Sequence, residues 1–375
     1  RLQAIQQDLA EVEGQLSRLS QRFRQDNALI ELSSIQSTLA PTDQMVLYSV
    51  ISPDPQQPTL QTLVAFVVTA EKVSMTNLGA LGDIPERIQA LRQTRSSILA
   101  QDVYLRLVDP LGLEQSGQWI VVPDGPLHLV PVDLLKPNAN TYLIDKVQVS
   151  YRTTGRDQLD QTGVKSIQSL SASSVTVIAN PQFPDDWNPL PNTAIEAQLI
   201  QQIAPQSSVY LGEDASLSTI RNIQSPTILH VATHGFVEDD DPMDSSDDSP
   251  MVRAGLVLSS PTGNGYLRAA EVGMLNLDRT QLVVLSACES GLGVSSAGDG
   301  VYGLRRALKV AGAQRQLLSL WPISDEGTKT FMTMFYQYLA ENPDPTMALR
   351  NTQMAMKDSE RWSNPVFWAG FILVE

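Results

Sequence analysis

Cysteine is all but missing from this chain: Cys288 is the single one in 375 residues. No intrachain disulfide can form, which fits a reducing compartment. Histidine is nearly as scarce, with three residues and no HExxH pattern, so a metal-dependent hydrolase lacks ligands. No metal or other cofactor is expected. Basic residues are outnumbered, 26 Lys and Arg against 41 Asp and Glu, for a net charge of −15. Such a surface does not neutralise phosphates, so no nucleic-acid partner is expected. It is compatible with attracting basic peptides. No apolar run reaches the roughly 18–20 residues of a membrane span. Thr62-Leu63-Val64-Ala65-Phe66-Val67-Val68 is a core strand by length. Neither membrane association nor a signal peptide is expected, and the location expected is cytoplasmic. The chain opens on Arg1 rather than methionine, which suggests a piece of a longer protein or a processed product.

Hydrophobic residues make up 42%, enough for a real core, and the length allows two domains or one large α/β unit with an appendage. Leu2, Ile5, Leu9, Val12, Leu16, Leu19 and Phe23 form an a/d seam over three heptads, broken from Ser33 to Asp43, and residues 1–40 are read as a heptad helix or connector. That helix pairs with one outside this chain or in a second copy, or it packs on the body of the chain; both readings stand. Residues 41–160 read as a first α/β region, with strands near Met45–Ser52, Leu60–Thr69 and Gln118–Pro123. One helix is expected from Ile84 to Leu107, with Asp83 as its N-cap. Polar residues 156–173 are the linker. From 161 to 375 strands and helices alternate, which implies a mostly parallel sheet covered on both faces. Ligands bind such sheets at the carboxyl ends of the strands.

Two apolar runs end there on reactive side chains. Val283-Val284-Leu285-Ser286-Ala287 leads to Cys288, and Ile228-Leu229-His230-Val231-Ala232-Thr233 leads to His234. A thiol needs a base to become a thiolate near neutrality, and histidine supplies one. The glycine-rich turn after Cys288 and Gly235 after His234 leave backbone N–H groups where an oxyanion would form. Cys288 also has the plain reading of a buried, inert thiol. On one continuous strand His230 and His234 would lie roughly 13 Å apart, too far to share a metal. His230 is read as structural, and His128 has no legible chemistry. The acidic stretch 238–248 is read as a solvated loop, with weak calcium binding or docking of basic residues as alternatives. Asp325 either caps the helix that follows it or lies at the floor of a pocket beside the Cys288 loop, pairing with a cation.

Several ordered pieces carry a family likeness. They include Pro123-Asp124-Gly125-Pro126-Leu127-His128, Leu190-Pro191 with Glu196, His230-Val231-Ala232-Thr233-His234-Gly235 and Ser286-Ala287-Cys288-Glu289-Ser290-Gly291. Gly298-Asp299-Gly300, Ser319-Leu320-Trp321-Pro322, Asp325-Glu326 and Pro365-Val366-Phe367-Trp368-Ala369-Gly370 complete the set. Together they resemble the CHAT family, caspase-like domains often found beside tetratricopeptide repeats, notably in cyanobacteria. The resemblance implies the separase and caspase–haemoglobinase fold, with 41–160 as an inactive caspase-like subdomain and 161–375 as the catalytic one. It implies Cys288 as nucleophile, His234 as general base, and the N–H groups of Gly235 and Cys288 as the oxyanion hole. Asp325, with Glu289 and Asp299, is expected to bind substrate, Asp325 favouring Arg over Lys before the scissile bond. The partners implied are a protein substrate and a regulatory protein reached through an upstream repeat domain or the N-terminal helix. A catalytically silent scaffold that binds protein partners is the alternative.

Overall fold

The computed structural model describes residues 29–52, 61–160, 167, 169–183, 187–237, 253–261, 263–287 and 299–375. The N-terminal heptad segment and the acidic stretch lie outside them.

Among the described residues eleven strands form one sheet in the order β3-β2-β1-β4-β5-β14-β13-β12-β8-β6-β7. The first five are β1 (Gln44–Ile51), β2 (Thr62–Val68), β3 (Val73–Ala80), β4 (Gln118–Val122) and β5 (Gln148–Tyr151). The rest are β6 (Val175–Pro181), β7 (Ser208–Gly212), β8 (Ile228–Ala232), β12 (Leu282–Leu285), β13 (Gln316–Ser319) and β14 (Phe371–Val374). Only β1–β2, β2–β3 and β13–β14 are antiparallel. Strands β8 and β12 are buried at every position. Unbroken runs such as Leu282-Val283-Val284-Leu285 are what a strand covered on both faces requires. At the edge, β3 is largely exposed and polar. A second sheet, β9 (His234–Val237), β10 (Ala254–Val257) and β11 (Tyr266–Arg268), stands beyond the end of β8.

The main helices are α1 (Ile84–Thr94), α2 (Ser97–Leu107), α3 (Pro191–Ile203), α4 (Asp299–Val310), α5 (Asp325–Glu341) and α6 (Pro345–Lys357). Helix α5 packs between α3 and α6, while α4 packs on β13 and the small sheet. The single helix expected over 84–107 is two. Arg95 turns into the left-handed region at φ 52°, and Ser96 caps α2 by accepting the Leu99 N–H. Asp83 makes no cap; its carboxylate pairs with Arg87 at 2.6 Å instead.

The two runs of strands meet where β14 pairs with β5, Val374 opposite Tyr151. Glu375 fastens the seam. Its N–H donates to the Tyr151 carbonyl, and its carboxylate takes Arg152 at 2.9 Å and Arg315 at 3.2 Å. Burial pushes this carboxyl up, but the two guanidinium groups outweigh it and hold it below the usual range. From α4, the fully buried Arg305 crosses to His128 Nδ1 (3.0 Å) and the Arg152 carbonyl (2.7 Å). Burial and the Arg305 charge push His128 down to about 3, so it is neutral in ordinary buffers.

Candidate active site

The site gathers at the carboxyl edge of the sheet. Strand β8 is fixed between β6 and β12 by parallel pairing on both sides. His230 and His234 do not share a strand. The backbone leaves β8 after Ala232, Thr233 bonds through its hydroxyl to the Val257 carbonyl, and His234 opens β9 opposite Val257. The expected continuous strand fails because Thr233 and the β9–β10 pairing draw the chain into the second sheet. Gly235 follows in β9, opposite Leu256.

His234 is 8% exposed. Phe183 and Trp187 pack on it with ring centroids at 4.7 and 5.0 Å. Its Nε2 lies 2.7 Å from the Asn188 carbonyl. A carbonyl only accepts, so Nε2 carries the hydrogen, and Nδ1 is the basic nitrogen of the neutral ring. Burial lowers the His234 pKa; the Asn188 carbonyl and the Asp325 charge offset this only in part. The ring is therefore a neutral base at pH 7.

Beside it, β12 carries the chain toward Cys288. Leu285 stands opposite Val231, the Ser286 N–H donates to the Val231 carbonyl at 2.9 Å, and the Ala287 carbonyl accepts from Ser319. The approach to the thiol is thus held three residues from His234 in β8 register. Cys288 and Glu289 themselves lie outside the described residues. Asp299 opens α4, and its side chain is likewise outside them.

Asp325 does not cap α5. Ser324 does, accepting the Gly327 N–H at 3.2 Å. This frees the half-buried Asp325 carboxylate to reach α3: Oδ2 accepts the Asn192 backbone N–H at 3.0 Å and its Nδ2 at 2.8 Å. Lys329, one turn along α5, donates to Asn192 Oδ1 at 3.3 Å and so orients that amide. The segment before Asp325 is held from several sides. The Leu320 N–H donates to the Gly370 carbonyl and Trp321 Nε1 to the Val366 carbonyl, while Arg92 donates to the Leu320 carbonyl and Arg95 lies 5.1 Å over the Trp321 ring. A Cβ on Gly370 would sit 2.8 Å from Trp321 Nε1, so the glycine permits this approach.

Asn188, Asn192, Phe183 and Trp187 were not foreseen. They lie in the loop between β6 and α3 and, for Asn192, in the first turn of α3; the aromatic, asparagine and proline content of this stretch is its only signal in sequence. A backbone carbonyl leaves no signature in sequence. Beneath them His230, fully buried, has Nε2 at 2.7 Å from Glu196 Oε1 and Nδ1 at 3.2 Å from the Tyr336 hydroxyl. Burial raises the Tyr336 pKa well above its usual value, so its hydroxyl donates to Nδ1 and Nε2–H donates to Glu196. This chain ties α3 and α5 to β8, as the structural reading of His230 requires. Among the described residues no three His, Cys, Asp or Glu side chains are grouped to hold a metal ion. No helix among them is long and apolar enough to cross a membrane.

The structure is similar to Saccharomyces cerevisiae separase in its complex with securin, with TM-score 0.52 and 10% identity over 91% of this chain and 31% of that one. The fold is accordingly the mixed α/β, mostly parallel sheet of caspase-like proteins. Residues 85–375 match the model of the CHAT domain, and the chain belongs to the CHAT domain family. Tetratricopeptide repeat protein 28 of Homo sapiens is 27% identical over 297 residues, and its Mus musculus counterpart is 27% identical over 305. Each alignment takes in 68% of this chain, but the chain spans only about 12% of the length of these relatives. A looser overlap, TM-score 0.43 at 11% identity over 78% of this chain and 74% of that one, is with the Arg specific cysteine proteinase gingipain R.

Proposed function

We propose that this protein is a cysteine endopeptidase acting through Cys288 and His234, with Asp325 selecting a basic residue, Arg over Lys, before the scissile bond. The observation that carries the reading is the state of His234: a buried, neutral imidazole whose Nε2 is engaged by Asn188, in a chain whose β8 pairs with β12, the strand that precedes the single cysteine in sequence. Nδ1 takes the Cys288 thiol proton. The thiolate attacks the peptide carbonyl carbon, and the oxyanion is met by the N–H groups of Gly235 and Cys288. The C–N bond then breaks as the imidazolium returns its proton to the leaving amine. Water hydrolyses the thioester, which restores the thiol and releases the acid. Asp325 Oδ1, which accepts no bond from the described residues, faces a substrate guanidinium or ammonium; Glu289 and Asp299 add negative charge.

In this reading residues 41–160 are an inactive caspase-like partner of the catalytic part, 161–375, and the protein works in the cytoplasm. The repeat-bearing relatives support control by a protein partner bound outside this chain. The test is turnover of fluorogenic peptides ending in Arg, Lys, Asp or Leu by wild type and Cys288→Ala. Arg cleavage that vanishes in the variant is expected. Cleavage that persists in it rules Cys288 out. A chain that cleaves nothing, with and without a repeat-domain partner, is the silent scaffold.

A further inference from the structure

A cleft of about 880 Å³ opens at Phe183, which packs on the His234 ring. Its walls come from the loop after β6 (Gln182, Phe183), the end of β7 (Glu213, Asp214), Ser218 and the turn at Pro261. The cleft is built, not a gap between loose loops. Buried Ser259 accepts the Gln182 N–H at 2.7 Å and donates to the Gly212 carbonyl at 2.6 Å, which ties three of its walls together. Phe183 belongs to both places, since it lines the cleft and packs on the His234 ring.

Strand order gives the cleft a direction. Along the carboxyl edge of the sheet the sequence is β13, β12, β8, β6, β7. Asp325 follows β13, the approach to Cys288 leaves β12, His234 follows β8, and the cleft sits at β6 and β7. In the proposed chemistry the imidazole gives its proton to the departing amine, so the leaving half of the substrate lies on the His234 side. We infer that this cleft receives the substrate chain that follows the scissile bond and favours basic residues there; the inference rests on the peptidase reading above. Two strand spacings separate β8 from β7, about 10 Å, which an extended chain covers in about three residues. The cleft therefore meets residues roughly two to four places beyond the cut. Glu213 and Asp214 are exposed and take part in no ion pair among the described residues, whereas Arg221, which also lines the cleft, is engaged by Glu271 at 2.6 Å. The charge offered to the substrate is negative.

The test uses two labelled peptides with Arg at the cleavage position, one continued by Gly-Lys-Lys-Lys and one by Gly-Glu-Glu-Glu, and a third that stops at the Arg. Binding to Cys288→Ala protein is read by anisotropy. The Lys peptide should bind at least tenfold tighter than the Glu peptide. Adding Glu213→Gln and Asp214→Asn should remove that preference and leave the short peptide unchanged. Failure of the Lys peptide to bind, or a preference that survives both substitutions, overturns the inference. With the thiol intact, the same two substitutions should lower kcat/KM about tenfold for the Lys peptide and leave an Arg–coumarin amide unaffected. A wild-type protein that cleaves neither substrate, with and without a repeat-domain partner, defeats the peptidase reading, and the binding measurement still decides the cleft.

Discussion

Replacing Glu196 should separate the geometry of the buried His230 contact from its charge. Glu196 is 1% exposed and His230 is fully buried. Glu196→Ala removes a hydrogen bond to a charged group, ~1.5–3 kcal/mol, and one buried methylene at ~0.8 kcal/mol, and it leaves a cavity costing ~1 kcal/mol. One term runs the other way. Glu196 Oε2 is buried with no protein partner, and deleting it relieves a cost of ~1–3 kcal/mol. The net loss is about 2 kcal/mol. Glu196→Gln keeps the volume and the Oε1 acceptor and puts a neutral amide where the second oxygen was, so it should lose less than ~1 kcal/mol. Urea unfolding, with midpoints compared at constant m, distinguishes the two. A Gln variant as unstable as the Ala variant would refute the reasoning and make the carboxylate charge itself the tie between α3 and β8. An Ala variant with the wild-type midpoint would show that the contact holds nothing.

Other measurements follow from the same structure. Asp325→Ala should cut kcat/KM for Arg substrates about 100-fold, from loss of a charge-assisted contact, yet cost only ~1 kcal/mol in unfolding because Ser324 keeps the cap; an equal fall in folding would restore the capping role. His234→Ala should abolish turnover. The acidic limb of the wild-type profile should lie below the ordinary histidine value, because burial lowers this group; a limb above it contradicts the neutral-base assignment. Asp133 is raised from 3.8 to about 7 by burial, against Arg350 and Gln353. Its folded pKa exceeds the unfolded one, so its contribution is complete below pH 3.8 and is lost as pH rises through about 7. Asp133→Asn should thus gain on wild type by ~1.4 kcal/mol per pH unit across that window; a flat difference in denaturation midpoints would refute it. Gly370→Ala should cost ~1–3 kcal/mol through the Trp321 clash, seen as a lower midpoint; an unchanged one would mean the indole yields freely.

Much of this was legible in the chain before the fold. Buried parallel strands announce themselves as short apolar runs, and Ile228-Leu229-His230-Val231-Ala232 and Val283-Val284-Leu285 fall in β8 and β12. Exceptions arose where one backbone angle or one hydroxyl decides. Nothing in Gln93-Thr94-Arg95-Ser96 forbids a continuous helix, yet Arg95 turns left-handed and Ser96 starts another. Thr233 reads as a strand residue, and only the long-range bond to Val257 shows that it ends one. At the site, the strand ends of His234 and Asp325 could be read from residue type and turn chemistry. The Asn188 carbonyl and the Asn192 amide could not, because their role depends on where α3 begins in space.

The strand that joins the two halves of the great sheet, β14, comes after every other strand in the sequence. Until it is made, β5 and β13 each present a raw edge, and their union must wait on pairings of very long sequence separation, the slowest kind to form. Domains generally fold in order as the chain emerges during synthesis. Here β5 and β13 join only through β14, so the two halves of the sheet close late in folding. A chain lacking Phe371–Val374 would hold the two halves of the sheet unjoined.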